Sequence, residues 1–471
     1  MSTTNPPPIS ANSALSSRSA PSALDALDAL DTLSSRLTFE VGTAQELSAV
    51  LNAPPLPAFA PTVLAFTHEL SAQLRHEARC RVYPDLLALG FWLREGNLQR
   101  LMQAYTSGPN QEQNHGPNQG PNQVRLGRGL AFHFAPNNVA TLFAYSLILS
   151  LLAGNSNVVR LGQRSTPEQQ VLLQTIQDLL AQAPFAALKE RLLIVRYGHD
   201  DDINRYFCAH CAVRVIWGGD STVQQLRALP MPAGSVELTF ANKFSWAMID
   251  AQGYLDLSTS QGPQASAMNF VTDAFSFGQQ GCSSPRLILW RGSDEQIAQA
   301  QARFWSSVDA ALTQRPFTLS PAQVSERFLA ANSAVLAARR HQAAHQPKPL
   351  LPEPHHEHAA PALTPAADGS SYLRLSLNCW EELERESHQG NGLFYELKVT
   401  SLEEVLRHCS DQEQTICSLG ISAEAWHQAL TTTPPRGLCR IVALGRALEF
   451  NRIWDGHDLI ATMSRALTLA L

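Results

Sequence analysis

A parallel α/β protein is the fold class this sequence predicts, and three observations carry the prediction. From residue 130 onward, short β-branched or apolar runs alternate with helical segments. A wholly helical-looking apolar stretch at 139–153 lies between Pro136-Asn137-Asn138 and Gly154-Asn155. It is shorter than the ~20 residues of a membrane span and contains Thr141, Ser146 and Ser150, so it reads as a helix buried against a sheet. Hydrophobic residues make up 44% of the 471 and charged residues 16%, enough apolar material for extensive cores. Strand, helix, strand in this rhythm implies right-handed crossovers, and such sheets bind ligands at the carboxyl ends of their strands.

The elements follow in order. Residues 130–134 read as a strand, 139–153 as the buried helix, Gly154-Asn155 as its stop, and 157–161 as the next strand. Ser165-Thr166-Pro167-Glu168 combines an N-cap with a proline at the first helical position and opens another helix. Strands at 192–195 and 213–217 follow, the second broken by Gly218-Gly219 and leading into a helix over 221–229; a strand at 245–250 closes the series. Beyond about residue 256, strands at 286–290 and 394–400 and helices at 294–314 and 402–409 form a second lobe. The division is therefore 37–252 and 253–430, with 431–471, including a strand at 440–444, packing back on the lobes. Residues 1–36 read as a disordered tail, since leucine every third residue over 24–30 drifts around a helix instead of forming a face. The Gly-Pro-Asn-Gln repeats of 108–123 and the His/Pro/Ala run of 342–368 read as solvated insertions.

A formal charge of −6 leaves no positive excess for a phosphate backbone, so nucleic-acid binding is not expected. No positively charged start precedes an apolar core, and the eight cysteines are too sparse for a disulfide scaffold; a cytoplasmic protein with reduced thiols and no membrane span is expected.

Candidate chemistry centres on Gly281-Cys282-Ser283-Ser284-Pro285-Arg286. A thiol among small residues in a loop before a strand suits an exposed nucleophile, and a small buried cysteine in a turn is the alternative. Cys208-Ala209-His210-Cys211 has no second ligand pair at matching spacing and reads as a helix end. Gly218-Gly219 after a strand suits close approach of a cofactor, and Asn138 carries an amide able to donate to an oxyanion, although it also suits a turn or cap. No metal site is expected: His341, His345 and the cluster at 355–358 have no Cys or paired carboxylate framing them in sequence.

In order and spacing these segments resemble the aldehyde dehydrogenase superfamily, and within it the LuxC-like acyl-CoA reductases, over about 124–460. The superfamily pattern is matched by Pro136-Asn137-Asn138, the helix 139–153, Gly154-Asn155, Val158-Val159-Arg160 and Thr166-Pro167. The reductase branch is matched by Gly281-Cys282-Ser283-Ser284-Pro285-Arg286, Arg440-Ile441, Gly445 and Trp454-Asp455-Gly456. The resemblance implies an aldehyde-dehydrogenase-like fold of two parallel-sheet α/β lobes with the active site between them. In it 37–252 is the cofactor-binding lobe and 253–430 the catalytic lobe. Cys282 would be the nucleophile that carries the acyl group, with Asn138 and the Cys282 backbone N–H donating to the oxyanion. Gly218 and Gly219 would line the cofactor, and Arg160 takes the place of the family's usual Lys beside the adenosine ribose. Where NAD-preferring members have a Glu, this chain has Gln163 followed by Arg164, which favours a 2′-phosphate and hence NADPH over NADH.

The implied function is NADPH-dependent reduction of a fatty acyl-CoA to the aldehyde through a Cys282 acyl-enzyme. An NAD(P)-dependent or CoA-acylating aldehyde dehydrogenase, and an acyl-carrying subunit of a fatty-acid-modifying complex, are the alternatives. An acyl-transferring synthetase partner and a homo-oligomer are further expectations. If Lys243 is the Lys of the family's Glu-Leu-Gly-Gly-Lys block, Thr239 replaces the Glu that activates water in oxidising members, with Glu237 two residues away as a substitute base. Near the usual nicotinamide-ribose Glu stand Glu384, Glu386 and His388, before Gly390-Asn391-Gly392; sequence does not choose among them.

Overall fold

The computed structural model of the chain describes residues 31–106, 123–136, 139–345 and 362–469. Asn138, most of the expected tail, the repeats of 108–122 and the His355–His358 cluster lie outside the described residues.

In chain order the first strands are β1 (Thr38–Val41), β2 (Gln123–Gly127), β3 (Leu130–Phe134), β4 (Ser156–Leu161), β5 (Leu192–Arg196), β6 (Val213–Trp217) and β7 (Val236–Phe240). Apart from β2 they form one sheet in the order β1-β5-β4-β3-β6-β7, parallel except for β1. β3, β5 and β6 are buried at every position because helices cover both faces, which is why they read as unbroken apolar runs. The apolar stretch becomes the helix Leu142–Leu152, buried along its whole length.

The second sheet contains β8 (Phe244–Asp250), β9 (Pro285–Arg291), β10 (Leu363–Pro365), β11 (Leu373–Ser376), β12 (Leu393–Val399), β13 (Glu413–Leu419) and β14 (Arg440–Ala443). Their order is β10-β11-β12-β9-β8-β13-β14, parallel except for β10. β15 (Ile453–Trp454) and β16 (His457–Asp458) make a small hairpin, and β17 (Ser464–Thr468) pairs antiparallel with β2.

Three expected boundaries move. β8, expected to close the first series, lies between β9 and β13 in the second sheet, so the lobes divide at 241–243 instead of at 252. An apolar strand pattern specifies two buried faces but not which sheet supplies its neighbours. The tail ends earlier than residue 36: Leu33 is buried and Arg36 pairs with Asp200. The expected insertion 342–368 is trimmed at both ends, by the helix Pro321–His345 and by β10, which pairs with β11.

The C-terminal segment touches both lobes. β14 extends the second sheet, while Trp454 packs 5.3 Å from Tyr145 and 6.1 Å from Trp217 in the first lobe's core. Among the described residues no helix is long and apolar enough to cross a membrane.

Candidate active site

The carboxyl ends of β3 to β7 face the amino ends of β8, β9, β12 and β13 across a cavity of about 1250 Å³. Cys282, Arg160, Arg164, Gly218 and Gly219 all line it, so five residues scattered over the sequence open into one space. Asn138 lies outside the described residues, but Pro136 and Val139 on either side of it line the same cavity.

The loop carrying Cys282 is held in an unusual conformation. The helix Pro263–Phe275 ends, and Phe277, Gly278 and Gln279 follow with φ of 55°, 64° and 61°. Left-handed backbone at two non-glycine residues costs energy and persists only where the surroundings hold it. Buried Gln279 supplies the hold: its side-chain amide donates to the carbonyls of Pro285 and Leu393 at 2.9 Å each, and its Oε1 accepts from Gly392 N–H at 2.8 Å. Beneath Cys282, the Ser245 hydroxyl donates to the Cys282 carbonyl at 2.7 Å and accepts from Thr415 N–H at 3.1 Å.

Cys282 is half-buried, and its sulfur faces a polar pair that sequence reasoning missed. Gln414 Nε2 donates to Cys282 Sγ at 3.1 Å and to Asp455 Oδ1 at 2.5 Å. Burial, then the Asp455 charge, pushes the thiol up to about 12, against the Gln414 hydrogen bond and the Arg440 charge. Cys282 is therefore a protonated thiol at neutral pH. Burial likewise raises Asp455 above the ordinary carboxylate range, although Gln414, Lys243, His457 and Arg440 all oppose it.

The C-terminal residues behind the resemblance build this wall. Arg440 donates to Thr415 Oγ1 at 3.0 Å and to the Ala447 carbonyl, and its guanidinium lies 5.7 Å from the Trp454 ring. Gly445, at φ 97°, has no room for a side chain: a Cβ would fall 2.6 Å from Asn269. Buried Asp273 accepts from the Gly445 and Ala447 N–H groups at 2.6 and 2.9 Å.

On the other wall, Arg160 lies 5.1 Å over the Tyr197 ring with Nη2 3.5 Å from the Gly198 carbonyl, and its buried Nε has no hydrogen-bond partner. An unsatisfied guanidinium N–H against the cavity suits an anionic or hydroxyl-bearing ligand. Gln163 and Arg164 sit in the loop after β4, which buried Arg196 shapes by donating to the carbonyls of Gly162 and Arg164 while pairing with Glu40 at 2.6 Å. Gly219 caps the helix Asp220–Arg227, whose amino end borders the cavity. Cationic side chains, an approachable glycine turn and a helix amino end fit a dinucleotide cofactor.

The remaining candidates separate cleanly. Glu237 is engaged elsewhere, accepting from Arg214 at 2.7 Å and pairing with Arg227 at 2.9 Å, and it does not line the cavity. His388 is buried and bound at both ring nitrogens, Nδ1 accepting from Gly390 N–H and Nε2 donating to the Leu393 carbonyl, with burial holding it well below its ordinary range. Glu384 caps the Glu386 and Ser387 N–H groups, which leaves Glu386 as the member of the trio with a carboxylate against the cavity. Cys208 and Cys211 are buried at the end of the helix Asp201–His210, where burial pushes the Cys211 thiol up to about 12. Gln279, Ser245 and Gln414 carry no local sequence signal. The polar run Glu413-Gln414-Thr415 inside an otherwise apolar strand, buried throughout, was the available hint.

The sequence model of the family described as Acyl-CoA reductase (LuxC) matches residues 68–343. A search of curated proteins gives no match. Among solved structures, the chain is similar to a NAD-dependent benzaldehyde dehydrogenase from Corynebacterium glutamicum, with 12% identity, 94% of this chain and 89% of that one covered, and a TM-score of 0.52. Methylmalonate-semialdehyde dehydrogenase (DddC) from Oceanimonas doudoroffii shows 14% identity over 90% and 89% of the two chains, with a TM-score of 0.56. Against a bifunctional proline utilization A protein, the chain spans 47% of the longer partner and 95% of itself, with 16% identity and a TM-score of 0.53. The fold is that of the aldehyde dehydrogenases.

Proposed function

Because the chain belongs to the acyl-CoA reductase (LuxC) family of oxidoreductases, we propose that it reduces a fatty acyl-CoA to the aldehyde with NADPH, through an acyl thioester on Cys282. The observation that carries this reading is the shared cavity, into which the Cys282 thiol and the Arg160–Arg164 and Gly218–Gly219 turns all open.

In the first half-reaction the Cys282 Sγ–acyl bond forms as the donor's C–S bond breaks, and the thiol proton ends on the departing sulfur. Because the resting thiol is protonated, that proton must be drawn off as the bond forms. As a sulfur lone pair forms the bond to carbon, Sγ becomes a weaker acceptor for the Gln414 amide, which keeps its bond to Asp455. Arg160, Arg164 and the glycine turn would hold the cofactor, whose nicotinamide supplies hydride when bound. Sγ then leaves the acyl carbon and takes back a proton, releasing the aldehyde.

Glu237 is locked in ion pairs and Thr239 has no basic group, so if Lys243 is the Lys of the family block, the position that activates water in oxidising relatives is without a base here. That favours transfer of the acyl group to hydride over hydrolysis. Arg160 and Arg164 in the lining of one cavity, with Gln163 in place of a carboxylate, support the 2′-phosphate preference. An acyl-transferring synthetase as donor, a homo-oligomeric state and a reducing cytoplasmic setting, which suits eight free thiols, belong to the same proposal.

The test is incubation with tetradecanoyl-CoA and NADPH, following the reduced-nicotinamide absorbance. Oxidation in the wild type that disappears in Cys282→Ala is the expected result. Faster conversion of hexanal and NAD⁺ to free acid would transfer the reading to an aldehyde dehydrogenase. Cys282 acylation without hydride consumption would leave an acyl carrier.

A further inference from the structure

Away from the cavity, the fold brings a histidine from one helix to a cysteine and a carboxylate of a distant turn. His341 lies near the end of the helix Pro321–His345, and Cys379 and Glu382 lie at the turn that includes Trp380–Glu382. One ligand atom from each falls within 4.8 Å of the other two, the group of this kind found among the described residues. Cys379 Sγ and His341 Nδ1 are 3.9 Å apart. The Glu382 residue is buried, and its carboxylate is positioned by neutral donors: Gln342 Nε2 at 2.8 Å, the Asn378 backbone N–H at 2.8 Å and the Asn378 side-chain amide at 3.3 Å.

We propose that His341, Cys379 and Glu382 form a zinc-binding site with one position left to solvent. An imidazole nitrogen, a thiolate and a carboxylate are the borderline-soft donor set that zinc takes in preference to magnesium or calcium. With Zn–N near 2.0–2.1 Å and Zn–S near 2.3 Å, tetrahedral geometry sets nitrogen and sulfur about 3.6 Å apart. The Cys379–His341 separation therefore closes with a shift of a few tenths of an ångström. Glu382 already has the outer hydrogen bonds that orient a metal-bound carboxylate. His341 and Cys379 are half-buried, which leaves a side open for water as the fourth ligand. On binding, the Cys379 S–H bond is replaced by a Zn–S bond and the proton passes to solvent. The metal would then tie the end of a 25-residue helix to the turn, whose Trp380 packs on Trp246 of the interior strand β8 at 5.4 Å. This site is independent of the reaction proposed above.

The test uses the full-length chain and Co²⁺ as a spectroscopic substitute for Zn²⁺. One equivalent of Co²⁺ is expected to give a thiolate-to-cobalt charge-transfer band and the visible bands of a tetrahedral ion, both displaced by Zn²⁺. Cys379→Ser should abolish the charge-transfer band, and His341→Gln should weaken Zn²⁺ by more than the roughly 10–100-fold cost of losing an outer partner. Replacing His355, His356 and His358 together by Ala should leave the band intact, which separates this site from adventitious binding to that histidine-rich run. Stoichiometric cobalt binding without a thiolate band, a band that survives Cys379→Ser, or no binding to the folded wild type would each overturn the assignment. Circular dichroism of each variant guards against mistaking unfolding for ligand loss.

Discussion

Replacing Asp455 with Asn removes the negative charge that shares the Gln414 amide with Cys282 while keeping a group of similar shape. Gln414 Nε2 stands 3.1 Å from Sγ and 2.5 Å from Oδ1. The two charges are thus roughly 5 Å apart, and at an effective dielectric of about 20 that is worth about 3 kcal/mol, or about two pH units on the thiol. The sign is fixed: a neighbouring anion opposes thiolate formation, so its loss brings the thiol down from about 12 toward the ordinary cysteine range. At pH 8 the thiolate fraction would rise about 100-fold, while a less basic thiolate is intrinsically slower by about 10-fold, for a net gain of about 10-fold in alkylation. The assay is iodoacetamide modification of Cys282 followed by mass spectrometry across pH 7–10, which resolves this thiol from the other seven. Asp455→Glu, which keeps the charge, should behave as the wild type. An unchanged or slower rate in Asp455→Asn would refute the electrostatic coupling.

Three further outcomes follow from the geometry. Arg160→Ala and Arg164→Ala should raise KM for NADPH at least about 10-fold more than KM for NADH, measured by steady-state kinetics; equal losses would remove the phosphate argument. Gln279→Ala takes this partner from the Pro285 carbonyl and the Gly392 N–H, while the Leu393 carbonyl keeps His388, and should cost about 2 kcal/mol, seen in thermal melts, with slower Cys282 acylation; an unchanged melt would mean the loop holds itself. His133 is buried between Ser146 and Asn157, and burial lowers it from 6.5 to about 4. Because the fold prefers the neutral ring, its contribution is complete above pH 6.5 and is lost as pH falls toward 4, by about 3 kcal/mol. Urea unfolding of the wild type at pH 7 and pH 4.5 should show that loss, and His133→Gln should not; parallel pH dependences would refute it.

Much of the site was legible in the chain because its signals are local. Cys282 stands out by its small neighbours, and Arg160 lies in, and Gln163 and Arg164 follow, a strand that apolar periodicity marks. Gly218 and Gly219 follow another. The alternation of strands and helices likewise comes from hydrophobic spacing and turn residues a few positions apart, so the parallel α/β class needed nothing beyond the sequence. Local spacing is silent about which groups meet through space. Phe244–Asp250 has the pattern of any doubly buried strand, and only packing put it between β9 and β13. Glu237 looked available as a base until its strand register placed it against Arg214. Gln414 and Asp455 lie 41 residues apart and meet at Cys282 because β13 and the C-terminal turn converge there. His341 gained a cysteine and a carboxylate the same way. The sequence by itself determined the elements and singled out Cys282 as the candidate, since backbone propensity and side-chain size act between neighbours. The tertiary structure alone decided the sheet partners and the charges around the thiol, because those depend on burial and distance summed over the whole fold.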